Sequence, residues 1–225
     1  MELIAQLVDI FLHLDRYLGT FLHDYGLWVY LLLFVIIFAE TGFVVTPFLP
    51  GDSLLFVAGT LAAAGGGLNV EWLIPLLIAA SFGGDNTNYW IGHHLGPRVF
   101  RHNNSRLLNH EYLDRTRAFY DRHGGKTILL ARFLPILRTF APFVAGVGHM
   151  PYARFLAFSL TGSVLWIGLF VLAGYFFGHL PVVRQNLTLS ILVIGVLVVG
   201  ALAGAFNLPI AVLGHELSEF VVIGS

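Results

Sequence analysis

The sequence contains no cysteine, which excludes disulfide bonds and thiol chemistry. Charged residues are also scarce, because they make up 11% of the 225 residues, whereas soluble domains carry about 25%. Hydrophobic residues account for 57% of the chain, and the mean hydropathy is +0.80. This composition excludes an ordinary soluble protein and predicts a polytopic membrane protein with a single membrane domain over residues 1–225.

Several local signals are absent as well. No cleavable signal peptide is evident, because the first 25 residues lack a basic start followed by a purely apolar run. The ten histidines are scattered, and adjacent His93 and His94 cannot share one helical face. No nucleophile motif or phosphate-binding glycine loop is present. We therefore predict no metal site, no cofactor, no catalytic residue and no nucleic-acid partner.

Hydrophobic patterning predicts helices throughout, so the expected fold class is all-α. Residues 72–92, 152–178 and 187–206 are predicted as spans, because about 20 apolar residues cross the hydrocarbon core. Residues 1–25 place apolar side chains at helical spacing between charges, which predicts an amphipathic interfacial helix. The tail, residues 207–225, is weakly amphipathic and is not assigned.

Two other apolar segments, residues 27–66 and 127–150, each contain two prolines near the middle. The second is too short for two crossings, and its prolines are expected to break any single helix. Non-helical backbone at membrane depth is tolerated only where protein or a water-filled cavity covers it. We predict that both segments are re-entrant hairpins of broken helices. Two full spans over 27–66 would equally return the chain to its starting side.

The topology follows from the basic residues. Residues 93–126 carry seven of the twelve lysines and arginines, so the positive-inside rule places this loop, with one short helix, in the cytoplasm. A single crossing separates the two hairpins, which should therefore enter from opposite faces. Such an inverted-repeat arrangement places a substrate site at the midplane between discontinuous helices. No internal sequence identity supports the repeat, so this expectation rests on topology alone.

Two arginines lie inside the second hairpin. Arg132 and Arg138 are six positions apart and would point about 240° apart on a continuous helix. The prolines Pro135 and Pro142 allow a bend that turns both side chains inward, where two guanidiniums would bind an anion. Their planar forks fit phosphate or carboxylate oxygens. The alternatives are permanent structural pairing with an acidic residue, or side chains that snorkel outward.

The first hairpin carries acids instead. A carboxyl that gains and loses a proton at depth suits a proton-coupled carrier, and Glu40 is such a group. Asp52 follows Pro50 and Gly51 near the hairpin tip. The structural alternatives are a hydrogen bond from Glu40 to a helix break, and N-capping of the returning helix by Asp52.

The predicted span 72–92 holds a dense polar patch at its middle. Asp85, Asn86 and Asn88 should face the bundle interior and form a secondary polar site. The alternative is that Asp85 or an asparagine caps a break in the helix.

These residues fall within ordered motifs that resemble the DedA family of membrane proteins, also called SNARE-associated or VTT-domain proteins. The resemblance covers about residues 25–205. It consists of Glu40 before FLPGDS (48–53), GGDNTNYWIGHHLG (83–96), YDRHGGKTILLARFLPILRTFAPFVAGVGHMPYARF (120–155) and a glycine- and aromatic-rich span with Trp166.

The resemblance implies two facing re-entrant loops and a carrier in the bacterial inner membrane. Bacterial members of this family return undecaprenyl phosphate across that membrane, depending on the proton motive force. The family's functional acids match Glu40 and Asp52, and its functional arginines match Arg132 and Arg138. More distant relatives are phospholipid scramblases.

The expected function is therefore outer-to-inner flipping of undecaprenyl phosphate for envelope synthesis. The arginines would bind the phosphate and the acids would take up protons. A phospholipid scramblase and a proton-coupled antiporter remain alternatives, and a lipid-phosphate enzyme is less favoured because it lacks a nucleophile. The expected partners are the lipid phosphate, protons and membrane lipids, and homo-oligomerisation is left open.

Overall fold

The computed structural model describes residues 14–43, 51–65, 67–99, 125–180, 183 and 187–205. Within these ranges the chain forms helices and turns without a strand, which confirms the all-α prediction. The helices are α1 (Leu14–Tyr25), α2 (Trp28–Gly42), α3 (Gly51–Ala63), α4 (Val70–Val99), α5 (Lys126–Ala131), α6 (Pro135–Val147), α7 (Tyr152–Phe177) and α8 (Leu187–Ala205).

The first predicted hairpin contains α2 and α3, of 15 and 13 residues. At 1.5 Å per residue each is roughly 20 Å long, which is shorter than the ~30 Å hydrocarbon core. Helix α2 ends where Phe43 becomes extended (φ −120°, ψ 126°). The predicted tip, with Pro47 and Pro50, lies outside the described residues, and re-entry into the membrane stays a prediction.

The second predicted hairpin contains the six-residue α5 and the 13-residue α6. The break falls at Leu134, which is extended (φ −110°, ψ 110°) because a residue before proline disfavours the helical region. Pro135 then begins α6, where its missing N–H costs nothing. The expectation that Pro142 also breaks the chain is wrong, because α6 runs through it.

The long helix α4 covers the predicted span 72–92 and continues to Val99. It is unbroken at its polar middle, so the interpretation of Asp85 or an asparagine as a cap for a mid-helix break is wrong. Residues 100–124, which hold the rest of the basic loop and its predicted short helix, lie outside the described residues.

The other long helices match the predicted spans closely. By length and composition, α7 is the helix within the described ranges that qualifies as a membrane span, and it coincides with predicted residues 152–178. Helix α8 falls within predicted residues 187–206. Residues 1–13 of the predicted interfacial helix and the tail 206–225 lie outside the described residues.

The chain is organised as two units, each a pair of short helices followed by a long one: α2–α3–α4 and α5–α6–α7. The second short helix of each unit packs along the long helix of the other, α3 on α7 and α6 on α4. The first short helix packs on its own unit's long helix, α2 on α4 and α5 on α7, and the two long helices also touch. Both units therefore follow the same packing pattern, which agrees with the expected repeat.

Glycines at equivalent positions allow α3 to pack closely on α7 and α6 to pack closely on α4. Where α3 crosses α7, a Cβ at Gly59 would overlap the carbonyl of Val171, and a Cβ at Gly174 would overlap that of Phe56. Small residues of this kind allow membrane helices to approach backbone to backbone.

Where α6 crosses α4, Gly146 and Gly92 make the equivalent contacts with the carbonyls of Tyr89 and Phe143. The sequence around these contacts is also repeated. FVAG occurs at 56–59 and 143–146, and FLP occurs at 48–50 and 133–135. The expectation that no internal identity supports the repeat is therefore wrong.

Apolar side chains surround the crossing helices on both sides. The buried core includes Leu33, Ile37, Leu55, Leu77 and Phe170. Other large apolar side chains on α7, including Leu160, Val164, Leu172 and Phe176, are exposed, as expected where a helix faces lipid. Polar groups between the helices are therefore enclosed by an apolar shell.

Candidate functional site

Five charged side chains converge between the two units. Glu40 lies near the end of α2, Asp52 in the first turn of α3 and Asp85 in the middle of α4. Arg132 directly follows α5, and Arg138 lies in the first turns of α6. Glu40, Asp85 and both arginines are buried. The structure thus brings the four predicted main site residues together and adds Asp85 to them.

Arg138 joins the two predicted hairpins. Its Nη1 donates to Asp52 Oδ1 at 2.5 Å, and its Nη2 donates to Glu40 Oε1. The guanidinium fork therefore holds one carboxylate from each helix of the first hairpin. Glu40 is fully buried, whereas 19% of the Asp52 side chain is exposed. The alternative in which this arginine snorkels outward is wrong.

Arg132 forms a third ion pair, with Asp85. Its Nη1 lies 2.6 Å from Asp85 Oδ2 and also donates to the Ser159 carbonyl at 3.3 Å, while Nη2 donates to Ser81 Oγ. Ser159 Oγ donates to the same carboxylate oxygen at 2.6 Å. This arginine therefore links its own segment to both long helices.

Trp166 contacts both arginines and is fully buried. Its indole Nε1 donates to Asp52 Oδ1 at 2.8 Å. The Arg138 guanidinium carbon is 4.6 Å from the ring centroid, and that of Arg132 is 5.7 Å away. Both distances fall within the range of cation–π attraction, so one indole contacts both cations and one of the acids.

Some buried polar atoms of the cluster have capacity for another partner. Glu40 Oε2 and the Nε atoms of Arg132 and Arg138 make no hydrogen bond to the described residues. Burying such groups without a partner costs about 1–3 kcal/mol each, and more for charged groups. This arrangement is typical of a polar site rather than of a core built for stability.

The charges of the cluster do not balance. Three carboxyl groups face two guanidiniums, so one negative charge is unmatched when all five groups are ionised. Net charge is costly in a low-dielectric interior. The cluster can therefore reach neutrality by binding one proton.

The two asparagines of the predicted secondary polar site do not join Asp85. Asn88 Nδ2 donates to the carbonyls of Thr41 at 3.1 Å and Thr139 at 2.6 Å, which ties α2 to α6. Asn86 instead accepts a 2.8 Å hydrogen bond from the Tyr152 hydroxyl. Asn88 therefore has a structural position between the predicted hairpins, and Asn86 lies apart from the cluster.

Sequence reasoning missed the contribution of α7, whose segment is predicted above as an ordinary span. Ser159, Gly162, Ser163 and Trp166 are buried along one face of this helix. Their spacing of three and four residues is the pattern of a single helical face and could have revealed it. Ser163 also lies 3.3 Å from Ser81, oxygen to oxygen, where α7 meets α4.

Metal binding is not indicated by the geometry of the described ranges. No three histidine, aspartate or glutamate side chains there are arranged to share a metal ion. The chemistry available at the cluster is that of guanidinium, carboxyl and hydroxyl groups, which can bind an oxyanion and exchange protons.

The chain is similar to several known proteins. The VTT domain matches residues 49–176. The chain is 52% identical to Protein DedA of Escherichia coli (strain K12) over 209 residues, covering 92% of this chain and 94% of that protein. It is 45% identical to an uncharacterized membrane protein of Mycobacterium leprae (strain TN) over 168 residues, covering 75% and 74%.

A third relative is named for its location. Inner membrane protein YqjA of Escherichia coli (strain K12) is 35% identical over 182 residues, covering 79% of this chain and 82% of that protein. No solved structure gives a significant match.

Proposed function

Since the chain belongs to the DedA family of VTT-domain membrane proteins of the bacterial inner membrane, we propose that it is a carrier of lipid phosphates. Its substrate would be a polyprenyl phosphate such as undecaprenyl phosphate, flipped from the outer to the inner leaflet. The observation that carries this proposal is Arg138, whose guanidinium is shared by carboxylates from two helices of the opposite unit.

The carboxylates occupy the positions that a phosphate would take. Carboxylate and phosphate oxygens both accept from a guanidinium fork in a bidentate arrangement. A phosphate monoester carries about −1.5 to −2 charges at pH 7, so it competes with Glu40 and Asp52 for Arg138. Exchange of one oxyanion for another is the binding reaction that we propose.

Protons would drive this exchange. Protonation of Glu40 or Asp52 would weaken its ion pair and free Arg138 for the lipid head group. It would also compensate the negative charge that moves towards a negative cell interior, which costs about 2.3 kcal/mol per charge for each 100 mV. The unmatched carboxyl in the cluster supports this coupling to protons.

The apolar exterior suits a lipid substrate. Exposed side chains such as Leu160 and Val164 face outward from α7, so an isoprenoid tail could remain in the bilayer while the phosphate passes through the cluster. We propose binding and movement rather than bond cleavage, because the clustered groups bind and exchange protons without an evident nucleophile.

Translocation in proteoliposomes tests the proposal. A polyprenyl phosphate is added to one leaflet and detected with an impermeant phosphate-binding probe, with and without an imposed proton gradient. We expect Arg138→Ala and Glu40→Ala to lower the rate by at least about tenfold, since loss of a charge-assisted pair is worth 1.5–3 kcal/mol. Exposed Arg154 provides the matched control, Arg154→Ala.

Each outcome distinguishes the candidate functions. Equal rates in wild type and both cluster variants would reject the carrier. Transport of phosphatidylcholine at the same rate, without a gradient, would favour a scramblase, and exchange of protons for another ion without lipid movement would favour an antiporter. Release of inorganic phosphate from the lipid would favour an enzyme.

A further inference from the structure

Trp166 is the largest of the fully buried side chains in the described ranges. A tryptophan buried in a core normally needs only a hydrogen-bond partner for its indole N–H. Here that partner is the carboxylate of Asp52. The indole ring also contacts both guanidiniums, so one side chain touches an acid and both cations of the cluster.

The hydrogen-bond geometry places Trp166 in the Asp52–Arg138 pair. Asp52 Oδ1 accepts from the indole at 2.8 Å and from Arg138 at 2.5 Å, so two donors converge on one oxygen. Both donors hold the Asp52 carboxylate in place, and the indole N–H can only donate. Asp52 is also the most exposed of the three acids, with 19% of its side chain accessible.

We propose that Trp166 is a positioning residue that sets how strongly Asp52 competes with an incoming phosphate for Arg138. Its N–H holds the Asp52 carboxylate in the position where it binds Arg138 in the substrate-free protein. Its ring face keeps the guanidinium in place after Asp52 has released it. This inference rests on the proposed function for its substrate, but the contact between indole and carboxylate is independent of it.

Other charged groups surround the same indole and must be separated experimentally. Asp52, Arg132 and Arg138 contact the indole. Glu40 and Asp85 are bound to those two arginines. Of the three acids, Asp52 is the one that accepts a hydrogen bond from the indole. Replacing each acid by its amide therefore separates the effect of the indole hydrogen bond from the effect of the surrounding negative charge.

A protein with one tryptophan tests the contact without altering it. The chain's other tryptophans, Trp28, Trp72 and Trp90, are all exposed and can be replaced by phenylalanine. We expect the emission of Trp166 to shift in Asp52→Asn at one fixed pH, with no phosphate present, because the carboxylate that accepts the indole hydrogen bond is lost. The shift should be smaller in Glu40→Gln and in Asp85→Asn, which keep that hydrogen bond. No shift in Asp52→Asn, or an equal shift in the other two variants, would overturn the proposal.

Binding of a short-chain isoprenyl monophosphate in detergent tests the consequence. Trp166→Phe keeps a ring face but removes the N–H, so Asp52 should compete less. We expect binding at neutral pH on the order of tenfold tighter than in wild type, with a weaker dependence on pH. Trp166→Leu removes both features and should bind more weakly than Trp166→Phe. Trp72→Phe, at a site 73% exposed, is the matched control.

The two proposals can fail separately. If wild type and Arg138→Ala bind the monophosphate equally poorly, the carrier proposal is rejected, while the emission shift in Asp52→Asn still decides the role of Trp166. If wild type binds and Trp166→Phe shows the same affinity and pH profile, the role of Trp166 is rejected and the carrier proposal stands. The emission experiment retains the native indole, so it does not depend on the folding of either Trp166 variant.

Discussion

Arg132 and Arg138 come from one short stretch of sequence, yet their surroundings differ. Arg132 meets a single carboxylate and two serine oxygens, all buried. Arg138 meets two carboxylates, one of which is partly exposed. The first environment is electrically matched and closed, whereas the second holds surplus negative charge at an accessible position. We infer that Arg132 anchors the cluster and that Arg138 exchanges its partners.

The comparison also explains why one residue type serves two purposes. An anchored ion pair links helices, since Arg132, Asp85 and Ser159 belong to three different segments. An exchangeable pair needs partners whose charge can change, and Glu40 and Asp52 provide two of them. Variants that alter one environment at a time should therefore separate stability from transport.

The largest effect on stability is expected from Asp85→Ala. It leaves Arg132 buried without its carboxylate, and breaking a buried pair in this way costs about 3–5 kcal/mol. Asp52→Ala should cost clearly less, because 19% of that side chain is exposed and Arg138 keeps Glu40. Thermal unfolding in detergent measures both. Equal losses would contradict the distinction between anchor and exchange site.

Arg138→Lys should affect transport more than stability. A lysine keeps the charge but lacks the planar fork that reaches carboxylates on two helices. We expect at least a tenfold lower translocation rate with little change in melting temperature, measured on the same preparation. In Arg132→Lys the balance should reverse, with a lower melting temperature and a smaller loss of rate among the folded molecules.

Arg138 lies on α6, and the close crossing of α6 over α4 should be sensitive to a single added methyl group. Gly146→Ala forces α6 away from the Tyr89 carbonyl of α4, and overpacking of this kind costs about 1–3 kcal/mol. Gly168→Ala is the matched control on α7, where a Cβ meets nothing within 4 Å and should be neutral or slightly stabilising. Similar melting temperatures for the two variants would argue against the close crossing.

Ser163→Ala should have the smallest effect. Ser163 contributes one 3.3 Å contact to Ser81, and hydrogen bonds between membrane helices average about 0.6 kcal/mol. Ser81→Ala should cost more, because Ser81 also receives a hydrogen bond from Arg132. Comparing the melting temperatures of the two variants shows whether the interactions that hold Arg132 also stabilise the contact between α4 and α7.

Much of the architecture could be predicted, because it depends on local properties. The extents of α7 and α8 follow from continuous apolar runs, and the break before Pro135 follows from proline sterics. The continuity of α6 through Pro142 and of α4 through Asp85 could not be predicted in the same way. Neighbouring helices decide whether a strained or polar helix stays whole, and those neighbours are distant in sequence.

The candidate site was also only partly predictable. Charges at membrane depth identified Glu40, Asp52, Arg132 and Arg138, because such residues are too costly to be incidental. Which acid pairs with which arginine did not follow, since 86 positions separate Asp52 from Arg138. Trp166 and Ser159 carry no charge and lie in an apolar helix, so their place in the cluster depended on packing.

The amino-acid sequence by itself determined that the protein is a helical membrane protein with costly charges in two proline-interrupted segments, because hydropathy, charge and proline act through local physics. The tertiary structure alone decided that Arg132 is anchored by Asp85, that Arg138 is shared by Glu40 and Asp52, and that Trp166 contacts both arginines. Ion pairs form between groups that folding brings within a few ångströms, and that proximity is a property of the packed helices.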